Sequence, residues 1–212
     1  MKKTLAVLAL GASGGAFAAA APEFQGNHLD IYYSSMEFEV SGFGEKAKLD
    51  GDGGGMSFWL GNKIGLFTGE IQVNNLEDNI DGTKVDADTR LMRVGMGYRF
   101  ANTPTLGAWL RAEYINFDGD IEIEGFGEAS DEQDGYGIHA GLRFGQQNLY
   151  GYGEIGRVEL KDLDGMEYRI GAAFQPGTLG GFIEYRLTDL ELDNLPIDEE
   201  FGDLRIGIRL AY

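Results

Sequence analysis

Apolar and polar residues alternate along most of this chain with a period of two. The C-terminal segment shows the pattern most clearly, with apolar residues at every second position: Leu204, Ile206, Ile208, Leu210 and the final Tyr212. A period of two places such residues on one face of a β-strand. Ten segments of this kind predict strands at about 28–40, 48–60, 64–76, 87–100, 105–117, 134–145, 148–160, 165–175, 179–191 and 201–212.

Repeated alternating segments of about ten residues are typical of transmembrane β-barrels. Outside the N-terminal region there is no run of around 18 apolar residues that would form a membrane-spanning helix, so crossing a bilayer requires a closed barrel. We therefore predict an all-β fold, a closed antiparallel transmembrane β-barrel of about ten strands. An eight-strand alternative leaves a hairpin around residues 36–50 outside the wall, and a soluble β-sandwich would also alternate.

The N-terminus has the order of a secretory signal peptide. Lys2 and Lys3 precede an apolar stretch at 5–12 and small residues at 16–20. The apolar stretch is too short for a transmembrane helix. We expect residues 1–20 to be a cleaved signal peptide and residues 21–212 to form a barrel domain in an outer membrane.

Two kinds of connection alternate between the predicted strands. Short ones lie at 61–63, 101–104, 145–147 and 175–178, and acidic, mostly longer ones at 41–47, 77–86, 118–133, 161–164 and 192–200. This asymmetry predicts periplasmic turns and acidic extracellular loops. The net charge of −18 excludes nucleic acid as a partner and favours cationic partners. Divalent cations could bind the acidic loops, although none of these has the full ligand series of a calcium loop.

Side chains alternate between the two faces of a strand, and this alternation assigns the charged residues to the barrel interior. In the segment 87–100, Met92, Val94 and Met96 face lipid, so Arg93 and Arg99 face inward. The same argument predicts the lumen-facing charges Arg93, Arg99, Arg111, Glu113, Arg143, Glu167, Arg169, Glu184, Arg186, Arg205 and Arg209, and it places Glu70, Glu154 and Asp203 on the same face. Arginine pairs well with carboxylates, and a partly dry lumen requires such pairing.

The size of the barrel bears on transport. Ten strands enclose little more space than the eight-stranded barrels that side chains fill. We therefore favour a plugged or very narrow lumen over a wide channel. An arginine ladder that forms an ion-selective constriction is the alternative.

The chain offers few candidates for catalysis. It has no cysteine and two histidines, His28 and His139, and the serine nearest to His139 in sequence is Ser130. A nucleophilic serine must lie within hydrogen-bond distance of its histidine, and nothing in the sequence brings Ser130 and His139 together. We expect His139 to be a polar residue of the interior, and we predict no catalytic residues, cofactor or built metal site.

The signal peptide and residues 85–100, 134–144 and 204–212 resemble the small porin-family, or outer-membrane β-barrel domain, proteins of Gram-negative bacteria. The resemblance implies contact with outer-membrane lipid and insertion by the barrel-assembly machinery, which reads a C-terminal strand with a final aromatic, here Tyr212 where Phe is more usual. The shared motifs identify a fold and no substrate. Three roles follow as expectations: a non-enzymatic envelope component, a narrow diffusion channel, or an adhesin acting through 118–133 and 192–200.

Overall fold

The computed structural model describes residues 27–42, 45–80, 83–123, 125, 127–146, 148–192 and 197–212. These residues form ten β-strands: β1 His28–Gly42, β2 Glu45–Gly61, β3 Gly65–Ile80, β4 Thr83–Asn102, β5 Leu106–Ile123, β6 Gly127–Gln146, β7 Leu149–Leu160, β8 Leu163–Phe174, β9 Leu179–Leu192 and β10 Ile197–Ala211. The predicted signal peptide lies outside the described residues. No helix in the described ranges is long and apolar enough to cross a membrane.

The strands form one closed antiparallel barrel. Each strand pairs with its sequence neighbour, and β1 closes the wall against β10, with Ile31 opposite Ile208. The prediction of ten strands is confirmed. The eight-strand alternative is wrong, because the segment around 36–50 belongs to β1 and β2, where Met36 pairs with Gly51. The two-sheet sandwich is excluded by closure of the sheet.

An apolar band surrounds the outside of the barrel. On β4 its exposed side chains range from 40 % accessible at Met92 to 69 % at Met96. Aromatic residues mark the end of the band nearest Asn27 and Tyr212, which is the periplasmic end: Phe100, Phe144, Phe174 and Tyr212. We take the parts of the strands within this band as the membrane-spanning segments.

The strands continue well beyond the band on the opposite, extracellular side. β4 and β6 have 20 residues each, whereas about 9–11 residues cross a bilayer. We call the additional part of the wall the collar; it consists of residues 37–42, 45–52, 75–80, 83–90, 116–123, 127–134, 157–160, 163–165, 188–192 and 197–202. The connections at its tip are therefore short.

The prediction of long acidic loops at 41–47, 77–86, 118–133 and 192–200 is wrong, because strands occupy most of each segment. For example, β3 continues to Ile80 and β4 begins at Thr83, while β5 continues to Ile123 and β6 begins at Gly127. The apolar face changes sides in the collar. On β4, Asp86 and Asp88 face outward, while Val85 and Ala87 are buried inside. Two buried apolar clusters fill this end of the barrel: Met36, Leu49, Leu76, Val85 and Ala87, and Ile115, Val158, Leu160, Leu163 and Leu190. Their burial sustains strand pairing in water.

Candidate functional site

The interior of the barrel has three layers. A cavity of about 70 Å³ lies toward the periplasmic end, and a second of about 100 Å³, the outer cavity, lies toward the collar. Between them is a layer of paired charges that we call the ionic plug: Glu70, Arg93, Arg111, Glu113, Glu154, Glu167, Arg169, Glu184, Arg186, Asp203 and Arg205. None of these side chains is more than 8 % exposed.

Arg93 on β4 is at the centre of the plug. Its guanidinium donates two hydrogen bonds to Glu167 on β8, at 3.0 Å from Nη1 and 2.6 Å from Nη2, and a third to Glu113 on β5 at 2.8 Å. The two-pronged contact uses the planar geometry of the guanidinium. Because β4 and β8 are not neighbours in the wall, this contact crosses the lumen.

A second group of contacts lies along β5. Arg111 pairs with both Glu113 and Glu154, and the indole nitrogen of Trp109 donates to Glu154 at 2.8 Å. Each carboxylate therefore has several donors. This number of donors offsets the cost of removing a carboxylate from water.

The third group connects β9 and β10 to β3. Arg186 and Arg205 approach Glu70 at 2.7 and 2.8 Å. Arg205 also donates to Asp203 at 2.6 Å, which accepts further hydrogen bonds from Ser34 at 2.6 Å and Gln72 at 3.0 Å. Glu70 is thus held by partners on other strands, and Asp203 by a partner on its own strand and by two on other strands.

His139 on β6 lies among the carboxylates of the plug. Its Nε2 is 3.0 Å from Glu113, and its Nδ1 is 3.7 Å from Glu154 and 3.9 Å from Glu167. Two glycines leave room for the ring. A Cβ at Gly137 would lie 2.4 Å from Nε2, and one at Gly156 would lie 2.1 Å from Nδ1.

The charges of the plug nearly balance. It contains six carboxylates, Glu70, Glu113, Glu154, Glu167, Glu184 and Asp203, and five guanidiniums, Arg93, Arg111, Arg169, Arg186 and Arg205. The imidazole of His139 lies among these charges, and the hydroxyls of Tyr32 and Tyr152 donate to Glu70 and Glu184. Such a set is compatible with a dry interior only while its members remain paired.

Glu113, His139 and Glu167 have ligand atoms within 4.8 Å of one another, as a metal site would require. The guanidinium of Arg93, however, already bonds both carboxylates, and Arg111 adjoins Glu113. A divalent cation would have to displace one cation and lie beside another. The donor set therefore fits arginine better than a metal ion.

The predicted lumen-facing residues occupy two of the three layers. Eleven lie in the plug: Glu70, Arg93, Arg111, Glu113, Glu154, Glu167, Arg169, Glu184, Arg186, Asp203 and Arg205. The other three, Arg99, Arg143 and Arg209, line the periplasmic cavity. There Arg209 donates to Asp30 at 2.8 Å from Nε and 2.6 Å from Nη2.

Sequence reasoning missed several polar partners of these charges, among them Asp30, Ser34 and Gln72. Their alternation with Ile31, Tyr33, Ile71 and Val73 could have placed them inside, because those neighbours are exposed on the outer band. Arg157 instead faces outward near the extracellular edge of the band, where it pairs with Asp164. Its register opposite Met166 is regular, so a charged pair at the interface accounts for the outward-facing arginine.

The fold and interior define a class, the transmembrane β-barrels with a polar, filled lumen and an apolar outer band. Residues 4–175 match the family described as outer membrane protein beta-barrel domain. The chain belongs to this family, as the sequence resemblance led us to expect, and it is located in the outer membrane of a Gram-negative bacterium. No curated protein sequence was found to match it.

Several solved barrels are similar in structure. The translocator domain of the autotransporter NalP from Neisseria meningitidis aligns with a TM-score of 0.49 and 10 % identity, covering 88 % of each chain. The attachment invasion locus protein Ail of Yersinia pestis aligns with a TM-score of 0.43 and 13 % identity, covering 87 % of this chain and 99 % of Ail. The Neisserial surface protein A gives 0.42 and 12 %, covering 87 % and 97 %.

Proposed function

We propose that this protein is a non-conducting, non-enzymatic barrel of the outer membrane. The ionic plug supports this proposal most directly, because the cavities on its two sides have no lining residue in common. Contacts such as Arg93 to Glu167 cross the lumen at that level. An ion passing through would have to break several buried pairs, and leaving one charge of such a pair without its partner costs about 3–5 kcal/mol.

The surroundings of His139 support the non-enzymatic part of the proposal. Both ring nitrogens approach carboxylates, and the ring is almost completely buried, at 1 % exposed. A general base must reach the proton of a substrate or nucleophile. His139 instead contributes to the packing of the plug.

Planar-bilayer conductance tests the proposal. Refolded protein would first be shown to have the heat-dependent gel shift of a closed barrel. We expect no discrete conductance steps from this protein, under conditions where an open porin added to the same bilayer conducts. Reproducible ion-selective steps would overturn the proposal and favour a narrow channel lined by the inner arginines.

A second candidate function is binding of a cationic partner by the collar. Its outer wall carries acidic side chains on adjacent strands, for example Asp118, Asp120 and Glu122 on β5 opposite Glu132, Ser130 and Glu128 on β6. These side chains are held on paired strands, so their spacing is regular. A surface of this charge attracts cations and basic segments.

This second candidate is tested with an oligo-lysine peptide as the probe. Neutralising Asp118, Asp120, Glu122, Glu128 and Glu132 to the matching amides retains the hairpin while removing its charge. We expect binding to weaken strongly, and to weaken equally when the hairpin is shortened at the Asp118–Glu132 pair. Unchanged binding by both variants would exclude the hairpin as the binding site.

A further inference from the structure

The outer cavity combines apolar walls with a polar rim. Its walls include Ile115, Phe117, Val158, Leu160, Leu190 and Phe201. Its floor is formed by Arg93, Arg186 and Asp203 of the plug. Its rim is formed by Asp131, Gln133 and Glu199 of the collar. Apolar walls with a few converging polar groups are the usual composition of a small-molecule site.

The charges of the floor are compensated by the plug. Arg93 pairs with Glu113 and Glu167, and Arg186 with Glu70. Asp203 pairs with Arg205 at 2.6 Å. The floor therefore gives the cavity little net charge of its own.

The rim is different, because its two carboxylates lack a cation. Within the described ranges, neither Asp131 nor Glu199 has a basic group within the 4.0 Å of an ion pair. Glu199 lies in the collar, outside the membrane-spanning segments. Burial raises the pKa of its carboxyl, and the charge of Asp131 raises that pKa further. A cation at this position would relieve both effects.

Gln133 adds an acceptor with no partner. Its side chain is 7 % exposed, and its amide nitrogen donates to Asp131 at 2.8 Å. Its Oε1 accepts no hydrogen bond from the part of the chain that the structure describes. An unsatisfied buried acceptor costs about 1–3 kcal/mol. A ligand with an N–H group would satisfy it.

We propose that the outer cavity is a binding site for a small organic cation with an apolar body. The ammonium group lies at the rim, where it donates to Gln133 Oε1 and faces the carboxylates of Asp131 and Glu199. The apolar body packs against the walls formed by Ile115, Val158 and Leu190. This inference does not depend on whether the plug conducts, since the groups that face the ammonium belong to the collar, on the extracellular side of the plug.

Three probes of similar shape test the charge that the site selects: 2-phenylethylammonium, 2-phenylethanol and 3-phenylpropionate. Binding to the protein in nanodiscs of zwitterionic lipid is measured by calorimetry. We expect the ammonium compound to bind about tenfold or more tightly than the alcohol, and the carboxylate to bind least, because charge-assisted hydrogen bonds are the stronger ones. Equal affinities, tighter binding of the carboxylate, or no binding of any probe would overturn the proposal.

Two variants separate the site from the general charge of the collar. Glu199→Gln should lower the affinity for 2-phenylethylammonium at least about fivefold. Glu200→Gln, at the next position of β10 and facing the outer wall, should leave it nearly unchanged. Equal losses in the two variants would indicate non-specific attraction and contradict the site.

A position-specific readout accompanies the affinities. Methyl resonances of Val158 and Leu160 in the intact protein should shift when 2-phenylethylammonium is added, whereas those of the lipid-facing Ile183 should not. A shift at Ile183 without one at Val158 would place the probe in the lipid and overturn the proposal.

Discussion

Arg93 and Glu167 meet across the barrel interior, with Arg93 Nη2 2.6 Å from Glu167 Oε2, although 74 residues of sequence separate them. Both side chains are almost fully buried. The pair connects β4 to β8, which have no backbone contact in the wall. It therefore adds a cross-brace to the barrel, as the contacts of Arg186 and Arg205 with Glu70 also do.

Removing one partner of this contact should destabilise the folded barrel. Glu167→Gln removes a charge that Arg93, Arg169 and Arg186 all approach within 4.0 Å. The amide nitrogen of glutamine cannot accept their hydrogen bonds, so the guanidiniums lose a charge-assisted partner in a dry interior. We expect the free energy of unfolding to fall by about 3–5 kcal/mol. Urea unfolding in lipid vesicles, followed by tryptophan fluorescence, measures the change.

The matched control is Glu122→Gln, the same substitution at an exposed position of the collar on β5. Its effect should stay within about 0.5 kcal/mol. A loss below about 1 kcal/mol for Glu167→Gln would mean that water enters the plug and screens its charges.

A second prediction concerns the glycines beside His139, where an added side chain should destabilise the barrel. In Gly156→Ala the new Cβ would lie 2.1 Å from His139 Nδ1, so the ring must move out of its carboxylate environment. Overpacking of this kind costs about 1–3 kcal/mol. Gly153→Ala on the same strand is the control, because its Cβ would have only one neighbour, the Arg169 carbonyl oxygen at 3.6 Å. Equal stability of the two variants would show that the ring is not held by packing.

The strand boundaries could be predicted from the sequence wherever the outward-facing side chains of a strand are apolar. The predicted and observed strands agree closely at the periplasmic end, as for β7 at 148–160 and Leu149–Leu160, because turn residues and aromatics mark that end. At the other end β6 begins at Gly127, seven residues before its predicted start at 134. The apolar face changes sides there, so a strand defined by outward apolar residues ends too early.

The sequence predicts which side chains face the barrel interior, but it does not predict which of them pair with each other. Alternation assigns Arg93 and Glu167 to the inner face, but their meeting depends on how far the closed sheet turns between β4 and β8. Local sequence pattern holds no information on that curvature. The same reason explains why the extracellular cavity could not be foreseen, since its rim combines Gln133 from β6 with Glu199 from β10.

The outer pair Arg157–Asp164 should contribute little, in contrast to the plug. The Arg157 side chain is 63 % exposed and that of Asp164 34 %, so solvent screens their attraction. Arg157→Ala should lower the free energy of unfolding by less than about 1 kcal/mol. A double-mutant cycle with Asp164→Asn isolates the pair. A coupling energy above about 2 kcal/mol would place the pair in a far drier environment than its exposure indicates.

The collar should become more stable as the pH falls. In β10, burial raises the pKa of Glu199, aided by Asp131. Burial also raises the pKa of Glu200, aided by Glu39 and Asp189 and opposed by Lys46. The folded state therefore binds these protons more tightly than the unfolded state, so the stabilisation is full below the ordinary glutamate pKa of 4.5 and is lost as the pH rises through the raised values.

Hydrogen exchange of the 197–201 amides, corrected for intrinsic rates, should show greater protection at the lower pH. The Glu199→Gln, Glu200→Gln double variant should lose most of this dependence, and protection that rises with pH in the parent protein would contradict the assignment.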